Sequence, residues 1–307
     1  MIFIIFFTAI VLLLIGSYYA YRIAFYSPLK NRDKPNWPDD PQYDPYRPQM
    51  RQIFQKLKAC PFERVTIRSE DGLKLSGRYY HVQNGAPLDI GFHGYRSHPI
   101  ADFSGGSELS FQMGHNLLLV DQRAHGLSEG KTISFGILER RDLQCWVNYA
   151  VNRFGTELEI LLYGVSMGGA TVLMASDLDL PPNVKGIIAD CPYTVPLDVI
   201  LHVGKSTPLP LWLIKPFVIL GAKIFGGFDL QETDALLSVR NTKIPILIIH
   251  GEDDRYVPCE MSKRAEKVNP AVVQRFTFPG AAHGISYLAD TPRYHKIVKD
   301  FVHKILY

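Results

Sequence analysis

The feature that most constrains the fold is a regular alternation of short apolar runs with longer amphipathic stretches, beginning near residue 60. The runs cover 88–93, 116–121, 159–163, 185–190, 245–250 and 272–278. The stretches between them include 136–154, 166–178, 259–268 and 290–305. Continuous apolar strands that alternate with helices predict a mostly parallel sheet covered on both faces.

Two further segments, 63–69 and 73–82, alternate apolar and polar residues on either side of Asp71-Gly72. This pattern predicts a hairpin, which would add an antiparallel edge to the sheet. Together the segments predict an α/β fold with a sheet of about eight strands.

The N-terminal segment sets a second constraint, because residues 2–21 carry no charged side chain. Twenty helical residues at ~1.5 Å each span about 30 Å, the thickness of the hydrocarbon core of a bilayer. Tyrosines cluster at the far end, where an aromatic belt would lie: Tyr18, Tyr19, Tyr21 and Tyr26. No Lys or Arg precedes the run, which disfavours a cleaved signal peptide. We therefore expect a transmembrane anchor over 1–26.

The basic residues nearest the uncharged run of 2–21 all follow it: Arg22, Lys30, Arg32 and Lys34. Under the positive-inside rule, this asymmetry predicts a single-pass protein of the cell membrane with its globular body in the cytoplasm.

Prolines dominate the start of the next segment, at Pro28, Pro35, Pro38, Pro41, Pro45 and Pro48. They predict a proline-rich linker over 27–59 and a globular domain over 60–307. The linker has two interpretations: a semi-rigid spacer, or a segment that packs on the body through its aromatic side chains, Trp37, Tyr43 and Tyr46.

The rhythm of strands and helices breaks between 190 and 245, where no strand pattern is evident. So long an interval inside a compact domain is usually functional. We expect a helical insertion over about 193–240, placed over one end of the sheet. Its most apolar part, 211–225, is a lid, a helix that contacts the membrane, or simply a helix that packs on the core.

Composition excludes several classes of protein. Lys and Arg number 33 against 30 acidic residues, so the net charge of +3 does not suggest a nucleic-acid partner. The four cysteines form no CxxC pair, and no HExxH sequence is present, so we expect no metal site. No GxGxxG follows the first strand, so we expect no dinucleotide cofactor.

The most informative motif is Gly164-Val165-Ser166-Met167-Gly168, which lies between a predicted strand and a predicted helix. A serine in such a strand–turn–helix elbow projects its hydroxyl from a tight, strained turn. The competing interpretation is an ordinary glycine-rich turn in which Ser166 caps the helix.

A nucleophilic serine needs a base, and later strands supply candidates. The strand at 245–250 leads into a segment containing Asp253 and Asp254, and the strand at 272–278 leads into a small-residue loop containing His283. Side chains at the carboxyl ends of parallel strands lie where such sheets place their sites. We expect His283 to act as general base for Ser166, held by one of the two aspartates.

These motifs together resemble the α/β-hydrolase superfamily, over about residues 62–305. The chain looks most similar to bacterial membrane-anchored esterases and lipases of the Bem-related group. The motifs in order are Phe92-His93-Gly94-Tyr95, the DQRAHGLS sequence at 121–128, the Ser166 elbow, the segment 250–258, and His283.

The resemblance implies particular roles for residues in these motifs. It implies that Asp254, the third residue after Gly251, is the acid. It also implies that the backbone N–H groups of Tyr95 and Met167 form an oxyanion hole, and that His125 is a structural loop residue. Cys191 and Tyr193 are candidates for the pocket lining.

The expected function is hydrolysis of carboxylic esters through an acyl-enzyme, with Ser166, Asp254 and His283 as the triad. The apolar insertion and the anchor favour a small-molecule or lipid-like ester, and no cofactor is expected. Two alternatives stay open: a peptidase or amidase of the proline-iminopeptidase type, and a non-catalytic, membrane-tethered binding protein. The last is disfavoured because all three triad positions are filled.

Overall fold

The computed structural model describes residues 1–28, 34, 37 and 39–307. The part of the predicted linker at 29–33, 35, 36 and 38 lies outside the described residues. Within them the core is one eight-stranded sheet with strand order β1-β2-β4-β3-β5-β6-β7-β8. The strands are β1 (Glu63–Arg68), β2 (Lys74–Tyr80), β3 (Leu88–Phe92), β4 (Asn116–Asp121), β5 (Ile160–Val165), β6 (Val184–Asp190), β7 (Ile246–Gly251) and β8 (Val273–Phe278).

The first hairpin forms the predicted antiparallel edge. Strand β2 runs antiparallel to both β1 and β4, and the remaining neighbours pair in parallel. The predicted α/β architecture is therefore confirmed, including the hairpin.

Helices cover both faces of the sheet. They are α1 (Ile2–Ala24), α2 (Arg47–Ala59), α3 (Pro99–Gln112), α4 (Glu139–Phe154), α5 (Met167–Met174), α6 (Pro196–Gly204), α7 (Leu211–Gly221), α8 (Ala235–Asn241), α9 (Cys259–Val268), α10 (Ser286–Ala289) and α11 (Thr291–Leu306). Side chains of α4, α5, α8 and α9 join the core on one face, and those of α2, α3 and α11 join the core on the other.

The central strands are apolar at most positions because they are buried on both sides. In β4, Leu118 and Val120 belong to one core, whereas Leu117 and Leu119 belong to the other. Successive side chains of a strand point to opposite faces, so a strand between two helical layers favours apolar residues at consecutive positions.

Two helices were not anticipated from the sequence. Helix α3 follows β3 and contains two glycines and three serines, residues with weak helix propensity. Helix α2 lies inside the predicted linker, and Pro48 falls in its first turn, where proline fits a helix. It buries Ile53, Phe54 and Leu57 in the same core as α3.

The described part of the predicted linker packs on the body. Trp37 makes an edge-to-face contact with Phe54, with ring centroids 5.2 Å apart. A 3₁₀ helix, Pro41–Tyr46, buries Tyr43. These contacts fit the second interpretation of the segment, in which its aromatic side chains pack on the body. The boundaries at 26/27 and 59/60 stay predictions.

The insertion between β6 and β7 is helical, as expected, with α6, α7, a π-helical turn at Ala222–Gly226, and α8. Helix α7 packs along α1, and the two backbones come close at Gly221. A Cβ added there would lie only 2.5 Å from the carbonyl oxygen of Ser17. Outside this contact both helices expose apolar side chains, including Trp212, which is 76% exposed.

Helix α1 is the single helix among the described residues that is long and apolar enough to cross a membrane. Its most apolar window has a mean hydropathy of 2.4, and only 6% of that window is buried.

Replacing Gly221 with alanine tests the contact between α1 and α7. The new methyl group meets the backbone of α1 at 2.5 Å, so the helices must separate, at a cost of about 1–3 kcal/mol in the free energy of unfolding. Thermal unfolding of the full chain in detergent should show a lower Tm. Gly204→Ala in α6 is the matched control, because its Cβ meets nothing closer than 3.8 Å. Equal Tm values for the two variants would contradict the close contact.

Candidate functional site

Ser166 lies in the sharp turn between β5 and α5. Its backbone has φ of +55° and ψ of −113°, a strained combination for a residue with a side chain. The flanking glycines permit the turn: a Cβ on Gly164 would lie 2.2 Å from the Gly168 carbonyl oxygen, and one on Gly168 would lie 1.7 Å from that of Phe92. The Ser166 N–H donates to the Asp190 carbonyl at 2.8 Å. Ser166 therefore lies in a strained strand–turn–helix elbow and is not simply the N-cap residue of α5.

The structure brings Ser166, His283 and Asp254 into one hydrogen-bonded line. The Nε2 of His283 lies 2.9 Å from the Ser166 Oγ, and its Nδ1 lies 2.6 Å from the Asp254 Oδ2. His283 follows β8 and Asp254 follows β7, so adjacent parallel strands deliver both side chains to the same edge of the sheet. This geometry lets the imidazole accept the serine proton while the carboxylate holds Nδ1–H.

Asp254, and not its neighbour Asp253, supplies the carboxylate that hydrogen-bonds to His283. Its Oδ1 accepts the backbone N–H groups of Tyr256 and Val257 at 2.9 and 2.8 Å, which leaves Oδ2 for His283. Asp253 is exposed and contributes its backbone N–H to the Ala281 carbonyl.

The electrostatics of this line follow from burial and proximity. Burial alone would raise the pKa of Asp254, but the neighbouring imidazoles of His283 and His250 hold it well below the ordinary value. Burial alone would lower the pKa of His283, but the Asp254 carboxylate raises it above 6.5. The pair therefore favours a charged aspartate and a basic imidazole.

The segment after β3 passes beside the elbow and contains Tyr95. A Cβ on Gly94 would lie 3.4 Å from the Cβ of Ser166. The N–H of Tyr95 has no hydrogen-bond partner among the described residues. That of Met167 lies at the first position of α5, where a helix offers no acceptor. Two amide donors beside Ser166 are thus available.

A network beneath this segment fixes its path. The Asp102 carboxylate in α3 accepts the Gly94 N–H at 2.6 Å and the Ser97 hydroxyl at 2.5 Å. The His93 Nδ1–H donates to the Gly94 carbonyl at 2.8 Å, while its Nε2 accepts the Gln122 N–H at 3.2 Å. Burial lowers the pKa of His93, which keeps the ring neutral in this role.

His125 has a structural place in the loop after β4. Its Nδ1 lies 2.9 Å from the Arg123 carbonyl oxygen and its Nε2 accepts the Arg96 N–H at 2.9 Å. Both ring nitrogens are engaged by the backbone, in agreement with the role that the sequence suggested.

Cys191 is the other nucleophile close to His283, with its Sγ 3.9 Å from Nε2. Burial raises the pKa of this thiol well above its ordinary value, so it stays protonated. With His283 and Asp254 it forms the group of possible metal ligands found among the described residues. His283 already hydrogen-bonds to both Asp254 and Ser166. The closeness of these three possible ligands is therefore better explained by the Ser–His–Asp line than by a metal site.

Sequence reasoning missed several side chains that support the site. They are Asp102, which holds Gly94; His250, whose Nε2 lies 3.2 Å from the Asp254 Oδ2; and Tyr43, whose hydroxyl donates to the His283 carbonyl at 3.0 Å. His250 is the last residue but one of β7 and lies four positions before Asp254, so its place beside the acid could be inferred from the sequence. Tyr43 is 240 positions from its partner, and no local pattern reveals such a contact.

Comparisons with known proteins agree with the observed fold. A family model described as serine aminopeptidase, S33, matches residues 90–218. The chain has the α/β-hydrolase fold, and these similarities support a place in the α/β-hydrolase superfamily. Its esterase and hydrolase relatives support a hydrolase activity.

Particular relatives cover most of the chain. It is 27% identical over 256 residues to YqkD, an uncharacterized protein of Bacillus subtilis, covering 81% of this chain and 82% of that protein. It is 24% identical over 253 residues to YNL320W, an uncharacterized membrane protein of Saccharomyces cerevisiae, covering 80% and 81%.

Among solved structures, the esterase Pf2001 of Pyrococcus furiosus matches with a TM-score of 0.66 and 26% identity, over 82% of this chain and 94% of that chain. Est1E of Butyrivibrio proteoclasticus, solved with ferulic acid bound, matches with a TM-score of 0.62 and 22% identity, over 79% and 99%. The second likeness bears on the fold alone.

Replacing Asp254 with asparagine tests the electrostatics of the line. Because the carboxylate is what raises the pKa of His283, its loss should lower that pKa, leaving burial as the larger effect. An NMR titration of histidine-labelled protein measures the change directly. Asp253→Asn removes an equal charge one residue away and should leave the His283 titration nearly unchanged. Similar shifts in both variants would contradict the pairing.

Proposed function

We propose that this chain is a serine hydrolase that cleaves carboxylic esters through an acyl-enzyme intermediate. The observation that carries the proposal is the line from the Ser166 Oγ to His283 Nε2 at 2.9 Å and from His283 Nδ1 to Asp254 Oδ2 at 2.6 Å. A serine hydroxyl has little nucleophilicity unless a base stands within hydrogen-bond reach, and this arrangement supplies one.

In the proposed reaction Ser166 attacks the ester carbonyl while His283 takes the hydroxyl proton. His283 then gives that proton to the departing alcohol, which leaves an acyl group on Ser166. A water molecule, deprotonated by the same imidazole, attacks the acyl-enzyme and releases the acid, while the imidazolium returns its proton to the Ser166 Oγ. Asp254 keeps the proton on Nδ1 in place and stabilises the imidazolium formed in each half-reaction.

The negative charge that develops on the carbonyl oxygen requires donors fixed in advance. We assign this role to the backbone N–H groups of Tyr95 and Met167. The unpartnered Tyr95 N–H, the helix-start position of Met167 and the closeness of Gly94 to Ser166 support the assignment. A pair of such donors typically lowers the barrier by several kcal/mol.

We further propose that residues 60–307 form the catalytic domain and that α1 anchors it in the cell membrane as a single span. The basic residues after α1 favour a cytoplasmic body. The outward-facing apolar surfaces of α1 and α7 favour a small-molecule or lipid-like ester as substrate, with α6 and α7 acting as a lid.

A peptidase or amidase of the same mechanism is the second candidate. The description of the matching family model, serine aminopeptidase, favours it. Comparing ester substrates with aminoacyl p-nitroanilides of matched acyl groups separates the two. Higher kcat/KM on the anilides would favour the amidase.

Ser166→Ala is expected to abolish ester hydrolysis by the full chain in detergent, with a loss of at least about 10³-fold in kcat. The measurement is turnover of p-nitrophenyl esters from acetate to palmitate, together with labelling by a fluorophosphonate. Cys191→Ser is the matched control, because its protonated thiol takes no part in the proposed chemistry and the side chain stays similar in size. If wild-type protein neither turns over an ester nor takes the label, the proposal fails in favour of a binding protein.

The pH dependence of kcat/KM should report the titration of His283. The reaction needs the neutral imidazole, so the rate falls as the pH drops through its folded-state pKa. Because Asp254 raises that pKa above 6.5, the midpoint of the acid limb should lie above 6.5. A rate that stays level well below pH 6.5 would exclude His283 as the base.

A further inference from the structure

We infer that the C-terminal end of α1 is a positioning element of the oxyanion hole, held to it through the side chains of Tyr95 and Arg96. This inference rests on the proposed function, because it concerns the loop that contains the Tyr95 N–H. Under this inference α1 helps to position the oxyanion donors, in addition to any role in membrane attachment.

The contacts are made to backbone carbonyls at the end of the helix. The Tyr95 hydroxyl donates to the Ala24 carbonyl at 2.7 Å. The Arg96 Nη2 donates to the Ile23 carbonyl at 2.8 Å and to that of Tyr26 at 3.0 Å. The last carbonyls of a helix have no intrahelical partner and carry partial negative charge, so a hydroxyl and a guanidinium suit them.

Arg96 is held in an unfavourable backbone conformation by these contacts. Its φ is +51°, in the left-handed region that residues with a side chain rarely adopt. Its N–H donates to His125 while its guanidinium reaches α1, so the residue is fixed from both sides. Asp102 fixes the loop at Gly94 and Ser97. Tyr95 therefore lies between two residues whose positions are set.

The end of α1 is itself packed into the body, so its contacts can fix the position of Tyr95. Phe25 is fully buried and makes edge-to-face contacts with Phe135 and Phe228. The Phe25 carbonyl accepts the Ile133 N–H at 2.8 Å. Phe135 in turn packs on the Tyr95 ring, with centroids 4.9 Å apart. The Tyr95 hydroxyl is thus held by the Ala24 carbonyl, and the Tyr95 ring packs on Phe135, which contacts Phe25.

The position of the Tyr95 N–H should therefore depend on α1. Oxyanion donors act only at hydrogen-bond distance from the developing charge, and a displacement of about 1 Å can cost on the order of 10²-fold in rate. Loss of the contacts to α1 should weaken transition-state stabilisation and leave substrate binding largely intact.

The test uses the full chain in detergent and the variants Arg96→Gly, Arg96→Lys and Tyr95→Phe. Glycine adopts the φ of +51° without strain, so any loss in Arg96→Gly reflects the missing guanidinium. We expect kcat to fall about 10-fold in Arg96→Gly and about 3-fold in Tyr95→Phe, with KM changed less than about 2-fold. Arg96→Lys should recover part of the loss, because an ammonium can also donate to carbonyls.

A second readout separates positioning from general destabilisation. A trifluoromethyl ketone forms a tetrahedral adduct whose oxyanion occupies the hole, so its inhibition constant should rise in proportion to the loss in kcat. Arg240→Ala, an exposed arginine on α8, is the matched control and should change neither quantity.

The inference is overturned if wild-type protein hydrolyses esters and Arg96→Gly matches it in kcat and in ketone inhibition. It is also overturned if the loss appears equally in KM and is accompanied by a lower Tm, since that pattern means destabilisation. If wild-type protein has no ester activity and takes no fluorophosphonate label, the proposed function itself has failed, and the inference falls with it.

Discussion

The close approach of α5 to β3 sets the positions of Ser166 and of the segment that follows β3. The first turn of α5 passes so near the end of β3 that Gly168 has no room for a side chain. The turn from β5 into α5 must therefore be short, and this forces Ser166 into its strained backbone conformation. The same contact places the segment after β3, with Gly94 and Tyr95, beside the serine. A single steric constraint thus brings the nucleophile and one amide donor together.

The parallel sheet contributes the remaining groups through its topology. Strands β7 and β8 are neighbours and end at the same edge as β5, so the loops that follow them deliver Asp254 and His283 to Ser166. The side chains then adjust one another: a buried carboxylate stays charged because two imidazoles and two backbone amides surround it. The order of the strands therefore determines both where Asp254 and His283 lie and which groups keep the carboxylate charged.

The sequence predicted those parts of the molecule that depend on local pattern. The strands were evident because both faces of the sheet are buried, and the elbow was evident because Gly164 and Gly168 flank the serine. The choice of Asp254 over Asp253 came from resemblance, and in the structure the Asp254 carboxylate is the one that hydrogen-bonds to His283. Helix α3 escaped notice because its glycines and serines carry weak helix propensity, which tertiary packing overrides. The contacts of Tyr43 with His283 and of Tyr95 with Ala24 join distant residues, so no periodicity can reveal them.

The rigid junction after α1 has a mechanical consequence. As the proposed membrane anchor, α1 has 23 residues and is about 35 Å long, and a helix that spans a bilayer tilts to match the thickness of the lipid around it. Because Phe25 is buried in the body and α7 lies along α1, the whole domain would tilt together with the helix. The thickness of the surrounding lipid would then set the angle at which the mouth of the site meets the membrane surface.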